Sequence, residues 1–87
     1  MKTFYMSFVD HERPQGQKYL GSCVVDGEDL ENATKNAWRI GCNPGGEILS
    51  VEVPEYLRID KWMNRLLTEQ EVREMDKELI EIKNKRN

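Results

Sequence analysis

Between Tyr19 and Val53 the period of the apolar residues changes twice. Tyr19 to Asp26 is an apolar run around Cys23, Val24 and Val25, which reads as a strand. From Asp26 to Gly41 the apolar residues Leu30, Ala33, Ala37 and Ile40 recur at helical spacing, with Trp38 beside them. Asp26 or Asp29 can cap the first turn of this helix. Gly41 ends it, and Pro44 forbids its continuation. Glu47 to Val53 then alternates, with Leu49, Val51 and Val53 expected inward and Ser50 and Glu52 outward. Strand, helix, strand in this order is a crossover unit, so the two strands must run parallel, joined by a right-handed connection.

Residues 3–9 are aromatic and β-rich, with Phe4, Met6 and Phe8 on one face, and form a further strand. The polar stretch 10–18 contains Pro14 and Gly16 and is a loop. The first strand therefore pairs antiparallel with the second. A simple sheet places it centrally, between the two parallel strands.

After Pro54 the chain reads as helical. Leu57 to Leu67 carries Trp62, Met63, Leu66 and Leu67 on an apolar stripe, which predicts one helix. Thr68-Glu69-Gln70-Glu71 is a capping box with Leu67 and Val72 placed as a staple, so a second helix starts near Glu69. Its apolar positions are Val72, Met75, Leu79 and Ile82. Glu residues crowd its first half and Lys83, Lys85 and Arg86 its end, which suits the helix dipole.

The expected fold is thus α+β. A three-stranded ββαβ core with one packed helix spans residues 1–54. Two C-terminal helices follow over residues 55–87, as a hairpin or with the last helix projecting, all within a single domain of 87 residues. Trp38 and Trp62 are expected to anchor core packing.

The chain has 13 basic and 16 acidic residues, a net charge of −3, which gives little attraction for nucleic acid. No apolar stretch is long enough to span a membrane, and nothing in the first residues points to export. The acids Asp26, Glu28, Asp29 and Glu31 belong to a helix start. Cys23 and Cys42 form no C-x-x-C pair and are expected as reduced thiols in a cytoplasmic compartment. His11 is the sole histidine; nothing in its spacing pairs it with Cys42 as a base. Asp10, His11, Glu12 and Cys42 lack metal-ligand spacing. No catalytic residue, metal or cofactor is therefore expected, and the chain reads as non-enzymatic.

Two surfaces remain. The chain directions bring the 10–18 loop and the 43–46 turn to the same end of the sheet. His11, Arg13, Lys18, Arg39, Asn43, Gly45, Gly46 and Glu47 are expected to share this rim. Consecutive glycine amides can converge on an anion and arginine can hold a phosphate bidentately, with Tyr19 or Trp38 available for stacking. Arg13, Lys18, Arg39, Asn43, Gly45 and Gly46 are thus the candidate ligand residues for a small nucleotide. Against this, no known phosphate-loop motif is present, and the turn follows a helix C-terminus, the end that repels anions. The other surface is the last helix, whose Val72, Met75, Leu79 and Ile82 stripe is the candidate contact for a partner protein or a second copy of the chain.

The segment Gly41-Cys42-Asn43-Pro44-Gly45-Gly46-Glu47 resembles a turn found in short, mostly uncharacterised bacteriophage proteins. The resemblance covers residues 3–54: Phe8-Val9-Asp10 ending the first strand, Pro14 and Gly16 in the loop, Leu20-Gly21, Val24-Val25, the helix and the turn. In that family the position of Cys42 is commonly aliphatic, which marks Cys42 as a buried apolar substitute. The resemblance implies a phage-encoded accessory protein working in the bacterial cytoplasm. It carries no assigned activity. The expected function is binding and modulation of a host protein; the alternative is sequestration of a nucleotide immune messenger.

Overall fold

The computed structural model describes residues 1–86. Strand β1 (Lys2–Val9) lies between β2 (Tyr19–Gly27) and β3 (Glu47–Val53) and is antiparallel to both. The outer strands are consequently parallel to each other, and helix α1 (Leu30–Arg39) connects them across one face of the sheet. This is the arrangement the crossover requires. A single further helix, α2 (Glu69–Arg86), closes the chain.

Helix α1 begins and ends as its sequence dictates. The Asp29 carboxylate accepts the Asn32 amide at 2.8 Å, and the Asn32 side chain accepts the Glu28 amide at 2.9 Å. At the other end Gly41 takes φ +79°, with Cys42 N–H bonded to Ala37 O and Gly41 N–H to Trp38 O. These are the two bonds of a Schellman motif.

The packing of α1 corrects the expected stripe. Only Ala33 and Ala37 are buried on the sheet, among Phe4, Met6, Phe8, Cys23, Val25 and Cys42. Leu30 and Ile40 are exposed, and Trp38 is 59% exposed, so Trp38 is not a core residue. The reason is close approach. A Cβ on Gly27 would lie 2.5 Å from Ala33 N, so at this point α1 is seated almost on the backbone of β2. Such a short separation admits alanine and little else. Trp38 follows Ala37 by one residue, roughly 100° around the helix, and turns to the outer side.

The helix expected over 57–67 does not form. Pro54 is followed by two single 3-10 turns, Glu55–Leu57 and Asp60–Trp62, and residues 63–67 run as a bent strap along the outer edge of β2. Ser22 N–H bonds Leu67 O at 3.2 Å, Leu67 N–H bonds Ser22 O at 2.6 Å, and Asn64 N–H bonds Val24 O at 2.9 Å. Asn64 makes the bend with φ +61°, a conformation asparagine tolerates better than most residues. The strap buries Met63 and Leu67 and exposes Asn64, Arg65 and Leu66 between them, so it is a bent segment and not a regular strand. Trp62, Met63, Leu66 and Leu67 fit a helical stripe in sequence, and the bonds to the open edge of β2 override it.

The sheet therefore has a layer on each face. Beneath the second face Val24, Trp62, Met63, Leu67 and Met75 form a second buried cluster, with Tyr5, Ile59, Val72 and Leu79 packed against it. Trp62 is fixed by its Nε1–H donating to Glu78 Oε2 at 3.0 Å, and Lys61 Nζ and Arg65 Cζ lie 4.7 Å and 5.4 Å from its ring centroid. The capping box is formed as its sequence requires: Glu71 N–H donates to Thr68 Oγ1 at 3.2 Å and Thr68 N–H to Glu71 Oε1 at 3.1 Å. Thr68→Ala should cost about 1 kcal/mol, read as a lower urea midpoint with an unchanged slope.

Candidate functional site

The rim is assembled in part. The loop closes through Asp10 N–H to Lys18 O at 2.8 Å, and His11 Nε2 meets Glu47 Oε2 at 2.5 Å, which ties the loop to the first residue of β3. Gly46 sits against the backbone of Val9, with φ +77°. Three of the expected anion donors are otherwise occupied. Gly45 N–H donates to Asn43 Oδ1 at 2.8 Å, Arg13 Nε lies 3.4 Å from Asp10 Oδ2, and Arg39 donates to Asn36 at 3.2 Å on its own helix. Asn43 is buried, and its Nδ2 has no hydrogen-bond partner among the described residues. Lys18 is half-buried.

His11 and Cys42 are not neighbours in function: His11 is exposed on Glu47, and Cys42 is buried in the first core cluster. Cys42 instead adjoins Cys23. Burial pushes both thiols up, and for Cys23 the neighbouring Cys42 adds to the effect, so neither is poised as a nucleophile at neutral pH. Among the described residues no group of three or more His, Cys, Asp or Glu side chains is placed to hold a metal ion. No described helix is long and apolar enough to cross a membrane.

Two features of the fold are not evident from local sequence. The first is a hydroxyl cluster on the second sheet face. Ser22 Oγ is buried and meets Tyr5 Oη at 3.0 Å, Ser7 Oγ at 3.1 Å and the Tyr19 hydroxyl. The Tyr19 phenol is pushed up, chiefly by burial. The only signal is the alternation Tyr5, Ser7 opposite the Phe4, Met6, Phe8 face, and the partnership with Ser22 needs the β1–β2 register. The cluster satisfies its own polar groups internally.

The second feature is a groove of about 550 Å³ on the same face. Its floor is Tyr5, Val24, Val51 and Val53 of the sheet. One wall is Tyr56, Leu57 and Ile59 of the turns after Pro54, and the other is Met75, Leu79 and Lys83 of α2, with Trp62 at its base. Leu49, Val51 and Val53 do share a face, as the alternation predicts. That face is the second one, opposite Ser7, Tyr5 and Thr3, and it is incompletely covered. Leu49 is 58% and Val51 65% exposed, so neither is an inward core residue. From the strand's other face it is Ile48, half-buried, that packs against the core beneath α1.

Helix α2 turns its apolar stripe toward its own chain. Met75 is buried, Val72 and Leu79 pack against it, and Ile82 is half-buried. Of the four stripe residues, Met75 and Leu79 line the groove.

Asp26 fastens the end of β2 to the turns that wall the groove. Arg58 donates to it at 2.8 Å and Thr3 Oγ1 at 2.6 Å, which holds its carboxyl below the usual range. A lowered folded pKa stabilises the protein above the unfolded value, about 3.9, and this contribution is lost as pH falls through the folded one. Urea midpoints should fall less steeply below about pH 4 in Asp26→Asn than in the native chain. Parallel curves would show that the Arg58 pair contributes nothing to acid stability.

No protein-family model, curated protein or solved structure matches this chain.

Proposed function

We propose that this protein is a non-enzymatic binding module that docks an apolar segment of another protein in the groove between α2 and β3. The groove carries the reading. It presents Val51, Val53, Ile59 and Leu79 in one concave, mostly apolar surface. Exposed apolar surface of this shape costs solubility and serves recognition. The phage resemblance makes a protein of the bacterial host the expected partner, engaged and modulated by occupancy of the groove. The nucleotide alternative has less support, because the Gly45 amide, Arg13 and Arg39 are already paired within the chain.

The test is affinity capture from bacterial lysate followed by native mass spectrometry. Native protein should bring down a discrete protein mass. Leu79→Asp should lower its yield at least about tenfold, as loss of a central apolar contact does. Trp38→Asp, on the opposite layer, should leave capture unchanged. Circular dichroism would first establish that each variant is folded. Undiminished capture by the Leu79 variant would sink the proposal, and an added mass of small-molecule size in place of a protein would shift the assignment to the rim.

A further inference from the structure

The two edges of the sheet are treated differently by the chain. The outer edge of β2 is sealed by the 63–67 strap through Ser22, Val24, Asn64 and Leu67. The outer edge of β3 is open. Among the described residues no backbone group of Glu47–Val53 bonds to anything but β1. The strand Glu-Ile-Leu-Ser-Val-Glu-Val contains no proline, lysine or bulge, the usual means of blunting an edge. It also shows solvent the side chains of Leu49 and Val51.

We infer that β3 pairs antiparallel with β3 of a second copy, making one six-stranded sheet. A two-fold axis normal to the sheet keeps each face on its own side, so a residue can only oppose one of the same parity. Overlap of all seven residues requires Ser50 to oppose Ser50. In that register Leu49 opposes Val51 of the second copy, and the reverse, so four exposed apolar side chains cover one another on the groove face. Glu47 opposes Val53 and Glu52 opposes Ile48, so no carboxylate faces another across the junction. Because the strap occupies β2 at Ser22 and Val24, the open edge among the described residues is β3, and its pairing with itself is an isologous contact that closes at two and does not propagate. The inference shares Val51 with the proposed groove but not Leu49, which lies outside the groove lining, and its test uses purified protein alone, so the two readings fail separately.

A seven-residue strand pair is a small interface, so dissociation is expected in the micromolar range or above. Sedimentation of the native protein from about 10 μM to about 1 mM should show the mass rise from one chain to two. Val51→Lys and, separately, Leu49→Lys should keep a native circular dichroism spectrum and stay at one chain throughout. In the native protein, exchange of the alternate β3 amides that point away from β1 should slow as concentration rises, with the β2 amides unaffected. A single-chain mass at about 1 mM, assembly beyond two chains, or a lysine variant that dimerises like the native protein would each overturn the inference.

Discussion

Gly46→Ala should unfold a large fraction of the protein. Two independent penalties fall on one methyl group. Gly46 has φ +77°, where an L-residue costs about 1–2 kcal/mol. The added Cβ would also lie 2.6 Å from Val9 O and 3.1 Å from Leu20 Cδ1. The first of these is backbone at the end of the central strand and has little room to retreat. Overpacking of this kind adds about 1–3 kcal/mol, and the sum rivals the ~5 kcal/mol that small domains command. Gly45→Ala provides the contrast: it too has positive φ, but its Cβ would meet nothing within 4 Å. Thermal denaturation should place Gly46→Ala well below Gly45→Ala, and equal midpoints would show that Val9 yields. It follows that a Gly46 variant is a poor probe of ligand binding at the rim, because it removes the fold along with any site.

Leu67→Ala should cost about 3–5 kcal/mol, a typical range for a fully buried leucine. Its backbone makes both hydrogen bonds to Ser22, and its side chain sits in the second cluster with Trp62 and Met75. Loss of the side chain leaves a cavity under the strap and loosens the seal on β2. The effect should therefore exceed that of Leu66→Ala, since Leu66 is 39% exposed where Leu67 is fully buried. Urea titration measures both. If the two variants matched, the strap would be held by its backbone bonds alone. A loosened strap also frees a second sheet edge, so Leu67→Ala is expected to aggregate at concentrations where the native protein does not.

Elements with unambiguous local signals are legible in the sequence alone. The strand around Cys23, the Gly41 stop, the strand Glu47–Val53 and the capping box at Thr68 each rest on chemistry within a few residues, and each is where the sequence puts it. Strand order also follows, because a crossover with an antiparallel first strand leaves few arrangements. Which apolar residue goes inside is not decided locally. Trp38 and Ala37 are adjacent, and only the close seating of α1 over Gly27 selects the alanine. Residues 57–67 carry a helical stripe, and the unpaired backbone of β2 overrides it by drawing residues 63–67 into a strap. The alternation of Leu49, Val51 and Val53 marks a shared face, but not that this face is left half-open beside α2. Short-range sequence thus determines where most elements begin, end and turn. Tertiary structure alone decides which faces are covered, because burial depends on what the rest of the chain has left to place there.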